Sequence, residues 1–322
     1  MKTKTIEKVL EKKLTAWVNT IEDNNVRALV KRNAIVTGGS IASMLLNEKV
    51  NDFDVYFRTK ETVLAVARYY ASKVPQASIE VVDGDSPQIL LEKREFAEME
   101  EPSQCQRAVF LRDLQPDRVA IYVPGVNYYS VTGEGSLMAE PDEIEQTKEL
   151  FSSIEEAREQ VKEGSYSPLF FTANAITLSD QIQLVLRFYG EASELHVNYD
   201  FVHATNYYDY HERKLYTNKP ALESLLAKEL RYVGSLYPVT SIIRTKKFIK
   251  RGWTITAGEY LKIMFQVADL DLRDPVVLQS QILGIDVSYF SILLEALENR
   301  DKSKYEKVTY PYICELIDRI FN

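Results

Sequence analysis

Asn33-Ala34-Ile35-Val36-Thr37-Gly38-Gly39-Ser40, and after it Asn51-Asp52-Phe53-Asp54-Val55-Tyr56-Phe57, are the stretches of this chain whose reading decides its fold. The first is short, apolar and closed by two glycines, which reads as a strand ending in a tight turn. Ile41-Ala42-Ser43-Met44-Leu45-Leu46 then restarts as a helix. The second stretch alternates, with Phe53, Val55 and Phe57 on one face and Asp52, Asp54 and Tyr56 on the other, the period of a half-buried strand. Side chains two apart on a strand share a face at about 6.6 Å, so Asp52 and Asp54 can converge on the same divalent cations. Glycine lets the backbone approach a phosphate closely, and the amides that open the following helix offer donors and a favourable dipole. Two metals about 3.5–4 Å apart would bind both the attacking and the leaving oxygen of an in-line phosphoryl displacement.

Val36-Thr37-Gly38-Gly39-Ser40-Ile41-Ala42-Ser43-Met44-Leu45-Leu46 followed by Val50-Asn51-Asp52-Phe53-Asp54-Val55-Tyr56-Phe57 resembles the nucleotidyltransferase signature of the DNA polymerase β superfamily. In that superfamily a glycine-serine turn and a carboxylate pair sit on one small palm, and a third carboxylate comes from a later strand. The resemblance therefore implies Asp52 and Asp54 as catalytic metal ligands, Gly38, Gly39 and Ser40 as nucleotide-binding residues, and two Mg²⁺, with Mn²⁺ as a substitute. For the third carboxylate the candidate is Asp200, on a strand read over residues 195–204, with Asp83 and Asp85 as competitors. His203, on the opposite face from Asp200, reads as a packing histidine. The longer block from Phe171 through Asp200 to Trp253 is similar to proteins of bacteriophages and large DNA viruses. The Arg-Asp that follows the glycines in tRNA CCA-adding enzymes is missing, as is the Gly-Thr helix start of cyclic-dinucleotide synthases, so neither identity is expected.

Working outward, Ile6, Leu10, Leu14, Trp17, Val18 and Ile21 recur at helical spacing, which predicts an amphipathic opening helix over residues 5–31. Thr59 to Val74 reads as a helix capped by Thr59 or Thr62, and residues 78–82 and 119–123 read as strands. Runs at 170–178 and 182–188, joined by Ser179-Asp180-Gln181, signal a hairpin. Beyond Asn218 the chain reads as almost wholly helical. The expected fold class is α+β: a small mixed nucleotidyltransferase palm sheet flanked by helices over residues 1–217, with an acidic helical insertion at 136–167, and an all-α C-terminal region over 218–322.

The bulk properties bound the function. The 322 residues, 45% apolar and 27% charged, are those of a globular protein, and 12 glycines with 11 prolines favour helices over a turn-rich sandwich. Two cysteines and three histidines provide neither a disulfide framework nor a zinc site. No apolar stretch is long enough for a membrane span, and the N-terminus lacks the apolar core of a signal peptide, so a cytoplasmic location is expected, the host cytoplasm for a phage protein. A net charge of −8 argues against coating nucleic acid through the overall field. The 20 tyrosines cluster at Tyr69-Tyr70, Tyr128-Tyr129 and Tyr207-Tyr208 with Tyr210, and read as packing surfaces rather than base-stacking platforms.

The basic run Arg244, Lys247 and Arg251 recurs at helical spacing, with Ile242, Phe248 and Ile249 expected toward the core. An NTP adds about four negative charges to a carboxylate site, so Arg244 and Lys247 are assigned to its phosphates. The leading function is metal-dependent transfer of a nucleoside monophosphate from an NTP to a hydroxyl, with release of pyrophosphate. The acceptor is an RNA or DNA 3′ end, a protein side chain or a second nucleotide. The alternatives are a catalytically silent module that binds a nucleotide or a host protein, and an interaction protein built on the acidic helices at 140–162.

Overall fold

The computed structural model describes residues 1–74, 79–95, 114–123 and 164–272, with isolated positions outside those ranges. The acidic segment at 136–163, the Tyr128-Tyr129 pair and the helices expected beyond 272 fall outside the described residues. Two compact units are present, and the described residues of the first run over 1–123, 164–197 and 203–225.

The amphipathic opening forms two helices rather than one, α1 (Thr3–Thr20) and α2 (Asn24–Asn33). Asp23 causes the break, because its carboxylate accepts from the backbone N–H groups of Asn25 and Val26 at 2.7 and 3.1 Å and so caps a new helix. Helix α1 buries Ile6, Leu10, Leu14, Trp17 and Val18, and Trp17 Nε1 donates to the Tyr70 hydroxyl at 2.7 Å.

The next elements follow the sequence reading closely: β1 (Ala34–Thr37), α3 (Gly39–Leu46), β2 (Phe53–Phe57) and α4 (Lys60–Ala71), the last capped by Thr59. Strand β3 (Glu80–Asp83), helix α5 (Pro87–Glu95) and strand β4 (Val119–Tyr122) come next, and β3 and β4 pair in a small antiparallel sheet of their own. The run expected at 170–178 is two strands, β5 (Pro168–Phe171) and β6 (Ala175–Leu178), because the chain turns at Thr172, whose hydroxyl takes the N–H groups of Asn174 and Ala175. The predicted hairpin into β7 (Ile182–Tyr189) is present, with Asp180 and Gln181 of its connection both at positive φ.

The strand expected over 195–204 does not form. Glu191 and Glu194 make a reciprocal capping box that starts helix α6 (Ala192–His196), and a 3₁₀ turn occupies Val202–Ala204. This local hydrogen bonding outweighs the β-prone composition of the segment. Strands β8 (Tyr207–Asp209) and β9 (Lys214–Tyr216) complete a seven-stranded sheet of order β5-β6-β7-β2-β1-β8-β9. Within this sheet, among the described residues, β2 and β7 pair in parallel and the other neighbours antiparallel, so the sheet is mixed, as expected. One face packs into the main core through Val36, Phe53, Val55, Phe57, Leu184 and Tyr208, together with α1 and α4 side chains.

The described residues of the second unit run over 198–202 and 226–272. Helix α7 (Lys219–Ala227) leads into it, and α8 (Pro238–Lys250) packs with α9 (Ala257–Ala268). The helical reading holds here, with one addition: Glu229–Leu230 (β10) and Thr254–Ile255 (β11) form a two-residue parallel pair.

Candidate functional site

The glycine turn and the carboxylate pair meet at one end of the sheet. Strands β1 and β2 are antiparallel with Val36 opposite Val55, so one residue further the register carries Thr37 to the level of Asp54. Asp54 is half-buried on the face opposite the core, and Asp52 is exposed just before the strand begins. Across the parallel pairing on the other side, the residue level with Asp54 is Gln183 of β7.

Gly38 caps α3 with φ 98° and ψ −149°, a conformation in which only glycine is comfortable. Its N–H donates to Ala204 O at 3.1 Å. Gly39 differs: it is exposed, and among the described residues a Cβ there would meet no atom within 4 Å beyond its own turn. The first N–H groups of α3 have no acceptor within the helix itself. Ser40 is 3% exposed, yet its Oγ has no hydrogen-bond partner among the described residues. A buried hydroxyl without a partner costs about 1–3 kcal/mol, which makes it a candidate for a bond to a ligand.

Sequence reasoning missed the residues that brace this turn. Thr37 is fully buried, and its Oγ1 lies 3.0 Å from Asn206 O and 2.8 Å from His196 Nε2. The single hydroxyl proton goes to the carbonyl, so His196 donates from Nε2 and is the neutral Nε2–H tautomer. Burial agrees, pushing the His196 pKa down to about 4. At the far end of β2, Arg58 bonds the buried Asp209 of β8 at 2.5 Å and Glu191 at 3.0 Å, tying β2 to β8 across β1. The signal for His196 was its place in a segment read as strand, which hid its approach to β1.

His196 predicts a pH dependence. The unfolded imidazole takes up a proton near its ordinary 6.5, whereas the folded one stays neutral until about 4. Between those values the unfolded state binds more protons, so this contribution to stability is complete above 6.5 and is lost as the pH falls toward 4. Melting curves at pH 7 and pH 5 should show a smaller acid-induced drop for His196→Asn than for the unmodified protein. An equal drop would remove His196 as a cause.

Several of the remaining sequence candidates have partners of their own. Asp200 sits in a bend and not on a strand, is 8% exposed, and accepts from Arg244 Nη1 at 2.8 Å. Two residues assigned to the metal and to the phosphates are thus each other's partner. Arg244 and Lys247 are on α8 as expected, but the inward face of that helix carries Val239, Ile243 and Thr245, whereas Ile242 and Ile249 are 43% and 45% exposed. The expected core stripe is rotated because buried Thr240 and Ser241 share the packed face, Thr240 donating to Gln281 O at 2.6 Å. His203 is buried, as read. Asp83 and Asp85 both bond Lys60, at 2.6 and 2.5 Å. Burial pushes Asp83 up, but the Lys60 ammonium outweighs it and holds the carboxyl below its usual range. Among the described residues no three Asp, Glu, His or Cys side chains gather closely enough to hold a metal on their own.

Residues 8–228 match the model of the Gabija anti-defense 2 family. The chain belongs to that family. The matched span contains the whole seven-stranded sheet, and with it the Gly38 turn, Asp52, Asp54, Asp200 and His196, while Arg244 and Lys247 lie beyond it. No curated protein matches this member of the Gabija anti-defense 2 family. Among solved structures it is similar to a tRNA-processing enzyme with CTP, at 12% identity and a TM-score of 0.36, over 89% of this chain and 53% of that one. It is also similar to the Thermotoga maritima CCA-adding enzyme complexed with tRNA, at 10% identity and a TM-score of 0.36, over 95% of this chain and 65% of that one. The chain thus spans about half of the first structure and less than two thirds of the second. Among the described residues no helix is long and apolar enough to cross a membrane.

Proposed function

We propose that this protein is a metal-dependent nucleotidyltransferase, which moves a nucleoside monophosphate from an NTP to a hydroxyl, and that this reaction is how it acts against the Gabija defence for which its family is named. The observation that carries the reading is the buried Ser40 Oγ, without a hydrogen-bond partner among the described residues, in the first turn of the helix that follows β1, at the sheet end where Asp54 stands. In this reading the Gly39 N–H and the Ser40 hydroxyl hold the β- and γ-phosphates, favoured by the α3 dipole. Mg²⁺ fits the donor set, since it commonly takes one or two carboxylates and completes its shell with substrate phosphates and water. When bound by Asp52 and Asp54 it would lower the acceptor hydroxyl's pKa and neutralise the leaving pyrophosphate. His196 and Thr37 hold the turn in place, and Gly38 provides the backbone angle that lets it close.

A second reading, a nucleotide-binding module without turnover, is favoured by one pair of observations: Gln183 flanks Asp54, and the Asp200 carboxylate is engaged by Arg244. Calorimetric titration with each NTP, with and without Mg²⁺, followed by a pyrophosphate assay, separates them. Transfer requires metal-dependent binding and pyrophosphate release. Binding without release, whatever the metal, supports the silent module.

Gly39→Ala separates the turn's structural role from its binding role. The added methyl enters open space on a helical residue, so the melting temperature should hold or rise slightly. If phosphate occupies that space, the NTP Michaelis constant should rise about tenfold or more, roughly the loss of one charge-assisted bond. An unchanged constant would place the phosphates elsewhere.

A further inference from the structure

The sheet face that carries Asp54 also carries an aromatic stack. Residues directly paired in neighbouring strands point to the same face. Thr37 is opposite Tyr207, and Tyr207 is opposite Tyr216. Asp54, Thr37, Tyr207 and Tyr216 therefore form one row across β2, β1, β8 and β9. At about 4.8 Å per strand, Tyr207 lies about 10 Å and Tyr216 about 14 Å from the β2 backbone.

The two rings stack face to face, with centroids 4.8 Å apart and planes at 11°. The neighbouring tyrosines behave otherwise. Tyr208 and Tyr210 are buried in the core, and Tyr69 meets Tyr70 edge-on at 83°, as packing surfaces do. Tyr207 and Tyr216 are only half-buried, and Tyr216 is on β9, the last strand of the sheet. The stack is anchored at its inner end, where the His196 ring meets Tyr207 at 6.1 Å and bonds Thr37 beside the glycine turn. At its outer end the Tyr216 hydroxyl donates to Glu212, which fixes the ring's direction. Besides Tyr207, the ring of Tyr216 meets the exposed Lys214, whose Nζ lies 4.5 Å from the ring centroid. A π-face of fixed orientation with a movable cation over it suits a flat, phosphate-bearing ligand.

We propose that the Tyr207–Tyr216 stack is a nucleobase platform, on which a base adds to the outer face of Tyr216 while Lys214 turns to the phosphate of the same nucleotide. The base has two sources, the NTP itself or a nucleotide acceptor such as an RNA or DNA end. Assigning it to either rests on the transfer reading above, but the stacking does not.

Equilibrium binding to the full chain tests this without turnover, using an α,β-methylene NTP analogue with Mg²⁺ and, separately, a short single-stranded oligonucleotide. Tyr216→Ala is expected to weaken one of the two about tenfold or more, on the scale of losing one stacked base, while Tyr216→Phe keeps both. Loss confined to the analogue assigns the platform to the NTP base, and loss confined to the oligonucleotide assigns it to the acceptor. A melting temperature for Tyr216→Ala within a few degrees of the unmodified protein shows that the loss is local. Unchanged affinity for both ligands, equal loss in the Phe variant, or no binding of either ligand by the unmodified protein overturns the proposal. Should pyrophosphate release be missing while Tyr216→Ala still weakens binding, the platform stands and the transfer reading falls.

Discussion

Asp54→Asn is expected to reduce nucleotidyl transfer by about a thousandfold or more while leaving the melting temperature within a few degrees. The size of the loss follows from the proposed role: a carboxylate that holds metal against the reacting phosphate would act as a unit with its neighbours, so removing it would remove most of the unit's effect. Stability is spared because Asp54 is only half-buried, on the sheet face away from the core, and because asparagine keeps the side chain's size. Relief of repulsion between Asp52 and Asp54 acts in the same direction. Asp52, exposed ahead of the strand, should behave alike on substitution. Transfer within a few-fold of the unmodified rate in both variants would remove the carboxylate pair from the chemistry.

Gly38→Ala should cost both stability and activity, unlike the Gly39 change. At φ 98° and ψ −149° a Cβ meets the flanking backbone, and holding such a residue there costs about 1–3 kcal/mol. For a chain of this size that is a fall in melting temperature of several degrees. Relaxing the strain instead would rotate the peptide and break the Gly38 N–H bond to Ala204 O, which misaims the first turn of α3. Either route predicts loss of NTP binding together with loss of stability, read by calorimetry on the same sample. A Gly38→Ala protein that melts normally and binds NTP normally would show that the turn's geometry is not required.

The part of the fold legible in the sequence was the part where hydrophobic period and turn chemistry agree. Val36 to Ser40, the helix after it and the Phe53–Phe57 alternation are local signals, and the structure places them as the spacing dictates. Tertiary position was less visible. Residues 195–204 have the composition of a strand, yet the Glu191 and Glu194 box folds their start into helix, and Asp200 left its expected strand with that change. Ile242 and Ile249 match a helical stripe, but which stripe faces inward was decided by buried Ser241 and Thr245, polar residues that periodicity assigns to solvent. The approach of His196 to Thr37 and the Tyr207 stack on Tyr216 join residues that only the sheet order brings together.

Transfer itself is the most direct measurement. The protein, Mg²⁺ and each NTP labelled at the α-phosphate are incubated with RNA, DNA, nucleotide and lysate-protein acceptors, beside the Asp54→Asn variant as control. The account predicts label covalently attached to one acceptor class, dependent on Mg²⁺, accompanied by pyrophosphate and missing from the Asp54→Asn reaction. Label attached to no acceptor with any NTP, from protein that calorimetry shows to be folded and binding that NTP, would contradict it.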